Sequence, residues 1–535
     1  MGKAKGILKN TLTVGAFTAL SRVLGLVREM FQSRLIGAGV EQSAFTLAFA
    51  LPNMARKLFG EGALTAAFVP IFKGSVESES LENAAKLARR VMTTVLMMLA
   101  ALVFLSMGVL EVVVKFRNEL GMQDMARLKL TIRLVKTLLP YMIFICGAAF
   151  GMGVLNALGR FKASSFMPCI LNIFWIGILA WISFFPDMSL DRRIHRVAVA
   201  ILAAGAMQMA FLLWRMHKAG VTPRLDFTGW KDSKVRLVWH NIGIAALGAG
   251  AIQINYMLDQ ILAQFAAPWA AGVIGYAERL MDLPLGIIGV AFGTVLLPTF
   301  AGLFAKDDIE GAREAMSSSV KSLMFAMLPA AAGLFVLAPE ITRVIYEGGD
   351  FDSTATMRVS RALAVYATGL GFFGLMKSLV PWFQAQNDMK TPLRVSVYTV
   401  IINSAINIAA VLLLPVEWRH VGLAASTVLC SATGCTMLIV FARRKNGTIG
   451  LARTINTIVR ILAASIFMGL CVHFLRPVAL DIASSIFNAK AACNVAQLAL
   501  LIASGGVIYG VAALFIMPDV SRGALSHLRK KRRAK

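Results

Sequence analysis

The stretch Thr11-Leu-Thr-Val-Gly-Ala-Phe-Thr-Ala-Leu-Ser-Arg-Val-Leu-Gly-Leu-Val-Arg-Glu29 lies in an apolar run over 9–36, whose interior charges are Arg22, Arg28, Glu29 and Arg34. A helix needs about 20 apolar residues to cross a bilayer, and this run is longer than that. Lys3, Lys5 and Lys9 in front of it imitate a signal peptide. The run far exceeds a cleavable apolar region, so it reads as a retained first membrane helix.

Similar segments follow near 42–72, 88–114, 130–158, 165–185, 196–216, 236–266, 270–304, 318–338, 358–385, 393–415, 420–442, 453–475 and 492–517. The expectation is an all-α polytopic membrane protein with about fourteen transmembrane helices. Composition agrees. The 535 residues are 58% hydrophobic and 15% charged, with a mean hydropathy of +0.71. A soluble domain carries about 25% charge, and a disordered chain needs low hydrophobicity, so both classes are excluded.

The net charge is +26. In a soluble chain this would suggest nucleic acid; here it reads as basic rims on a membrane protein, with no nucleic-acid partner. An even number of passes puts both termini on one side. Taking that side as cytoplasmic leaves roughly thirty-one Lys/Arg inside against roughly thirteen outside, as the positive-inside rule requires. The tail (Arg529, Lys530, Lys531, Arg532, Arg533, Lys535) and the loop Arg215, Lys218, Arg224, Lys231, Lys234, Arg236 dominate that count. The expected location is a plasma (inner) membrane.

A repeat is visible at an offset of 228. It pairs Ala67-Phe-Val-Pro-Ile-Phe72 with Val295-Leu-Leu-Pro-Thr-Phe300, Asn156–Lys162 with Gln384–Lys390, and Arg215 with Arg443. Six helices per copy give parallel repeats about an axis along the membrane normal. The expected organisation is an N-terminal lobe at 1–218, a second lobe at 219–446, helices 13–14 at 447–517 and a basic tail at 518–535.

Charge inside a membrane helix costs about 2.5–3.5 kcal/mol on insertion scales and usually faces a cavity. Three helices carry such arginines: Arg22 and Arg28 on the first, Arg56 on the second, and Arg279 on the eighth. Pro52 precedes Arg56 and Lys57, and Pro284 follows Arg279 and Asp282, each removing a backbone bond where it kinks its helix. Arg279 with Asp282 and Lys57 with Glu61 are also spaced as local ion pairs, and Arg28 and Arg34 are placed to snorkel. Several arginines in a partly desolvated cleft favour a phosphate-type anion, because guanidinium offers a planar fork of donors. Asp259 reads either as an ion or proton carrier or as a residue capped by Asn255 or Gln260.

Other patterns carry little. The six cysteines form no CxxC pair and the six histidines no HExxH, so no metal, cofactor or catalytic residue is expected. Gly369-Leu-Gly-Phe-Phe-Gly374 matches GxGxxG but sits inside an apolar helix with no preceding strand.

With these segments in hand, the chain resembles the MurJ (MviN) family of lipid II flippases, in the superfamily of multidrug and polysaccharide exporters. The likeness is carried by Ser21–Glu29, by Leu51-Pro-Asn-Met-Ala-Arg-Lys-Leu-Phe-Gly-Glu61 with its continuation to Pro70, and by Tyr276-Ala-Glu-Arg-Leu-Met-Asp-Leu-Pro284 continuing to Pro298. Tyr346-Glu-Gly-Gly-Asp-Phe351 and Lys390-Thr-Pro392 also fit. The resemblance implies two lobes around a cationic cavity that alternates between membrane faces. Arg22, Arg28, Arg56 and Arg279 would hold a lipid-linked pyrophosphate, supported by Glu29, Lys57, Glu61, Asp282, Pro52 and Pro284. The polyprenyl tail would lie at helices 13–14. Ser43 and Ala50 stand where family members often have an acid and some a lysine, which removes those groups from any mechanism here.

The expected function is translocation of lipid II from the inner to the outer leaflet by alternating access, without enzymatic chemistry. The implied partners are lipid II, the membrane and cell-wall synthesis proteins. A flippase for another polyprenyl-pyrophosphate glycan shares the same charge logic. A multidrug antiporter would favour acids and aromatics in its cavity, and a divisome scaffold would act through the basic tail.

Overall fold

A computed structural model of the chain describes residues 2–58, 64–119 and 125–516. The described residues are helical throughout, apart from connecting turns and an isolated bridge between Gly348 and Phe351. The α-helices are α1 (Gly2–Ile36), α2 (Val40–Ala55), α3 (Leu64–Ser78), α4 (Leu81–Glu119), α5 (Met125–Leu138), α6 (Tyr141–Ala157), α7 (Phe161–Ile182), α8 (Leu190–His217) and α9 (Ser233–Ala266). They continue as α10 (Ala270–Phe304), α11 (Ile309–Val336), α12 (Ala338–Tyr346), α13 (Ser353–Gln384), α14 (Lys390–Leu413), α15 (Val416–Asn446), α16 (Ile455–Ile486) and α17 (Lys490–Ile516).

Among the described residues, ten helical segments are long and apolar enough to cross a membrane. The chain is a multi-pass membrane protein. The other apolar runs, which carry the intramembrane charges, are also helical: α1, α2 with α3, α9 and α10. Two runs read as single helices are divided. The run 42–72 appears as α2 and α3, and after Ala55 residues 56–58 widen into a π-turn. Pro52 lies inside α2, and its missing N–H loosens the ladder on which that turn forms. The run 130–158 breaks between Leu138 and Tyr141 at Pro140 for the same reason. In α10, by contrast, the helix continues through Pro284 and Pro298. Glu61 and the tail 518–535 lie outside the described residues.

At the offset of 228, Leu81 at the start of α4 pairs with Ile309 at the start of α11. Gly159 (φ +73°) pairs with Asn387 (φ +56°), both left-handed residues in the turn between consecutive helices. Asparagine is among the few non-glycine residues that tolerate that conformation.

By internal packing the chain forms two units. Unit 1 is Met1–Gln264 with Gly348–Phe351, and unit 2 is Phe265–Glu347 with Asp352–Lys535. In unit 1, α1 packs on α7, α6 on α8 and α2 on α5, around buried Phe45, Phe68, Phe72, Phe150 and Trp175. Gly348–Phe351 docks on the end of α1: Asp350 N donates to Arg34 O at 2.9 Å. Arg193 Nη1 meets Asp350 Oδ2 at 2.7 Å and Leu35 O at 3.0 Å. In unit 2, α13 packs on α10, α11 and α15. The hairpin of α16 and α17 packs on α11, where Tyr509 donates to Phe325 O at 2.8 Å.

Candidate functional site

Ser21 and Arg28 are seven residues apart, close to two turns, and so share one face of α1. That face meets α7 at Asn172, which holds both. Its Nδ2 donates to Ser21 O at 3.0 Å, and its Oδ1 accepts from Arg28 Nη1 at 3.0 Å. One turn further along α7, Trp175 lies with its ring centroid 4.4 Å from the Arg28 guanidinium carbon, a cation–π distance. Arg28 Nη2 also pairs with Glu29, which is itself buried.

The Arg28 side chain is 18% exposed. Its Nε is buried and makes no hydrogen bond among the described residues. A buried donor without an acceptor costs about 1–3 kcal/mol. The arrangement therefore suits an incoming oxygen anion.

Behind Arg28 runs a buried polar chain. Trp175 Nε1 donates to Gln32 Oε1 at 3.0 Å, and Gln32 Nε2 to Gln42 Oε1 at 3.0 Å. Gln42 Nε2 continues to Thr46 Oγ1 at 3.4 Å. Phe45 and Phe49 pack edge-on to Trp175 at 5.5 and 5.6 Å, so the ring under Arg28 is fixed on its other sides.

On the π-turn after α2, Arg56 donates through Nε and Nη2 to Asn53 Oδ1 at 3.2 and 3.1 Å. The asparagine of Leu51-Pro-Asn thus aims the arginine three residues later. Lys57 Nζ lies 5.2 Å from the Tyr256 ring centroid. The Tyr141 hydroxyl, also in unit 1, is buried with no hydrogen-bond partner among the described residues, and Arg22 is exposed on α1.

Arg279 belongs to unit 2, with its guanidinium carbon 5.8 Å from the Tyr276 ring centroid. Tyr276 stacks obliquely on Tyr346 at 4.7 Å, and the neighbouring Glu278 accepts from the Tyr366 hydroxyl at 3.3 Å. Asp282 is exposed. Asp259 accepts from Asn255 Nδ2 at 3.1 Å, the capping arrangement. Ser43 is fully buried, and its carbonyl accepts from Gln264 Nε2 at 2.9 Å.

Sequence reasoning passed over Asn172, Trp175, Gln32, Gln42 and Tyr141. The available signal was Asn172 and Trp175 three apart in an apolar helix, on the face that meets α1. Among the described residues no group of three or more His, Cys, Asp or Glu side chains is placed to hold a metal.

The helices of membrane length among the described residues define a multi-pass membrane protein. A solved structure described as lipid II flippase MurJ in an inward closed conformation superposes with a TM-score of 0.74 at 21% identity, covering 95% of this chain and 99% of that one. An inward-facing multidrug-resistance MATE transporter of the MOP superfamily superposes at 0.65 with 14% identity, over 80% of this chain and 95% of that one. The family model described as lipid II flippase MurJ matches residues 32–489. Probable lipid II flippases MurJ from Rhizobium tropici and Vibrio cholerae are 33% and 31% identical over 77% and 81% of this chain, and 76% and 82% of their own lengths. The chain belongs to the lipid II flippase MurJ family.

Proposed function

We propose that this chain carries lipid II across the inner membrane, from the cytoplasmic to the outer leaflet, with fourteen passes and both termini cytoplasmic. Two six-helix repeats, 1–218 and 219–446, would form the alternating lobes, and the two helices of 447–517, α16 and α17, the path of the polyprenyl tail. Arg22, Arg28, Arg56 and Arg279 would replace water around the pyrophosphate, with Tyr141 adding a hydroxyl donor. No bond is made or broken in this task. The ligand only exchanges a hydration shell for fixed donors.

The observation that carries the reading is the Arg28 cradle. Asn172, Glu29 and Trp175 fix a guanidinium in the last third of α1 and leave its buried Nε without an acceptor among the described residues. Such a group discriminates for oxygen anions and against the cations that a drug antiporter would take. Release then requires that the inward and outward states bind the head with different affinity.

The test is depletion of the resident lipid II flippase in a bacterium that expresses this chain. Restored growth and restored surface exposure of lipid II support the proposal. Stable insertion without either would overturn it. Surface exposure of a different polyprenyl-linked glycan under the same depletion would assign the chain to that cargo.

A further inference from the structure

Unit 2 contains a cavity of about 790 Å³ whose lining does not include Arg279. Its walls are the end of α11, α12, the first turns of α13, the second half of α16 and the start of α17. Four lining side chains are cationic, Arg343, Arg361, Arg476 and Lys490, and Glu347 is the one acid among them. Two of the cations are partly neutralised. Arg343 pairs with Glu347 at 3.5 Å, and Arg476 with Glu340 at 3.2 Å. Arg361 and Lys490 form no ion pair among the described residues, and Arg361 lies over the Trp418 ring at 4.7 Å.

Three helix N-termini add to this field, because α12, α13 and α17 all begin in the lining. Each contributes roughly half a positive charge, offset at α13 by the Asp352 carboxylate, which accepts from Ala355 N at 2.7 Å. The lining also includes apolar Phe335 and Met357, each more than half exposed.

We propose that this cavity is a second anion site, which holds the phosphate of a lipid head group while the lipid chain lies against Phe335 and Met357. A free phosphate would match the cations and leave those two side chains unused. A zwitterionic head would bring a cation into a cavity already in cationic excess.

The experiment uses the delipidated full-length chain in detergent, with bound lipid counted by native mass spectrometry. The probes are short-chain phosphatidylglycerol, short-chain phosphatidylcholine, undecaprenyl pyrophosphate and inorganic phosphate. The variant Arg361→Gln/Lys490→Gln leaves both ion pairs intact. Phosphatidylglycerol affinity should fall about tenfold in that variant, with phosphatidylcholine binding weak in both proteins. Displacement of phosphatidylglycerol by equimolar undecaprenyl pyrophosphate would assign the site to the polyprenyl lipid, and resistance to it would assign the site to phospholipid; both support a lipid phosphate. Equal affinity in variant and parent, equal binding of phosphatidylcholine, or displacement by equimolar inorganic phosphate would each overturn it. As a check that does not depend on removing charge, Asn494→Cys should lose labelling by a water-soluble maleimide when phosphatidylglycerol is added. Because the substitutions at Arg361, Lys490 and Asn494 lie in unit 2, away from the Arg28 cradle of unit 1, failure here would leave the transport proposal standing.

Discussion

Asn172 holds Arg28 by one end of its amide and the backbone of Ser21 by the other, each at 3.0 Å. The bond to Arg28 joins residues 144 apart in sequence and fixes the direction of a charge on α1. A hydrogen bond to a charged group contributes about 1.5–3 kcal/mol. Asn172→Ala should therefore lower transport about tenfold or more at unchanged protein level, as read by lipid II exposure on intact cells. Activity equal to the parent would remove Asn172 from the site.

Arg28→Lys should fail nearly as completely as Arg28→Ala. Lysine keeps the charge but loses the planar fork that serves Asn172 and Glu29 and the flat face that stacks on Trp175. A titration with lipid II in nanodiscs should show affinity down by about tenfold for both variants. Full rescue by lysine would mean that charge alone suffices at this position.

The tetrapeptide Gly348–Phe351 depends on two glycines for its approach to α1. At Gly349 (φ +55°) a Cβ would stand 2.2 Å from Arg34 O, and at Gly37 (φ +75°) a Cβ would stand 2.4 Å from Asp350 O. Gly349→Ala should cost about 1–3 kcal/mol through strain and loss of the docked backbone, measured as a lower melting temperature in detergent. Ala substitution at Gly15, which has open space around its Cβ position, is the matched control and should leave that temperature unchanged.

Asp226, in the connection between α8 and α9, is held below the usual carboxylate range. Hydrogen bonds from the Thr228 hydroxyl and amide are the main cause, with Arg90 adding to it. Because the folded-state value is depressed, this contribution to stability is fully present above the ordinary carboxylate pKa near 3.9. It is lost as pH falls through the lower, folded value. Hydrogen exchange across 222–232 should accelerate when pH is taken below about 4, after correction for intrinsic rates. In Arg90→Leu the same loosening should begin at a higher pH.

Much of this was legible in the chain itself. A run such as 165–185 must be helical in a bilayer, since every backbone group needs a partner and lipid offers none. Arg22, Arg28, Arg56 and Arg279 stand out in the sequence because charge in hydrocarbon is costly wherever the helix goes. The breaks at Ala55 and Pro140 were not legible from hydropathy, because both sides of each break are equally apolar.

What the sequence determined alone is therefore helix, number of runs, sign of charge and the four arginines, all set by local chemistry and by the solvent. The tertiary structure decided the partners: Asn172 and Trp175 for Arg28, Asn53 on its π-turn for Arg56, and Arg343, Arg361, Arg476 and Lys490 gathered around one cavity. Side-chain contacts across helices depend on which faces pack and at what rotation. Composition and periodicity leave that choice open, and only the packed core makes it.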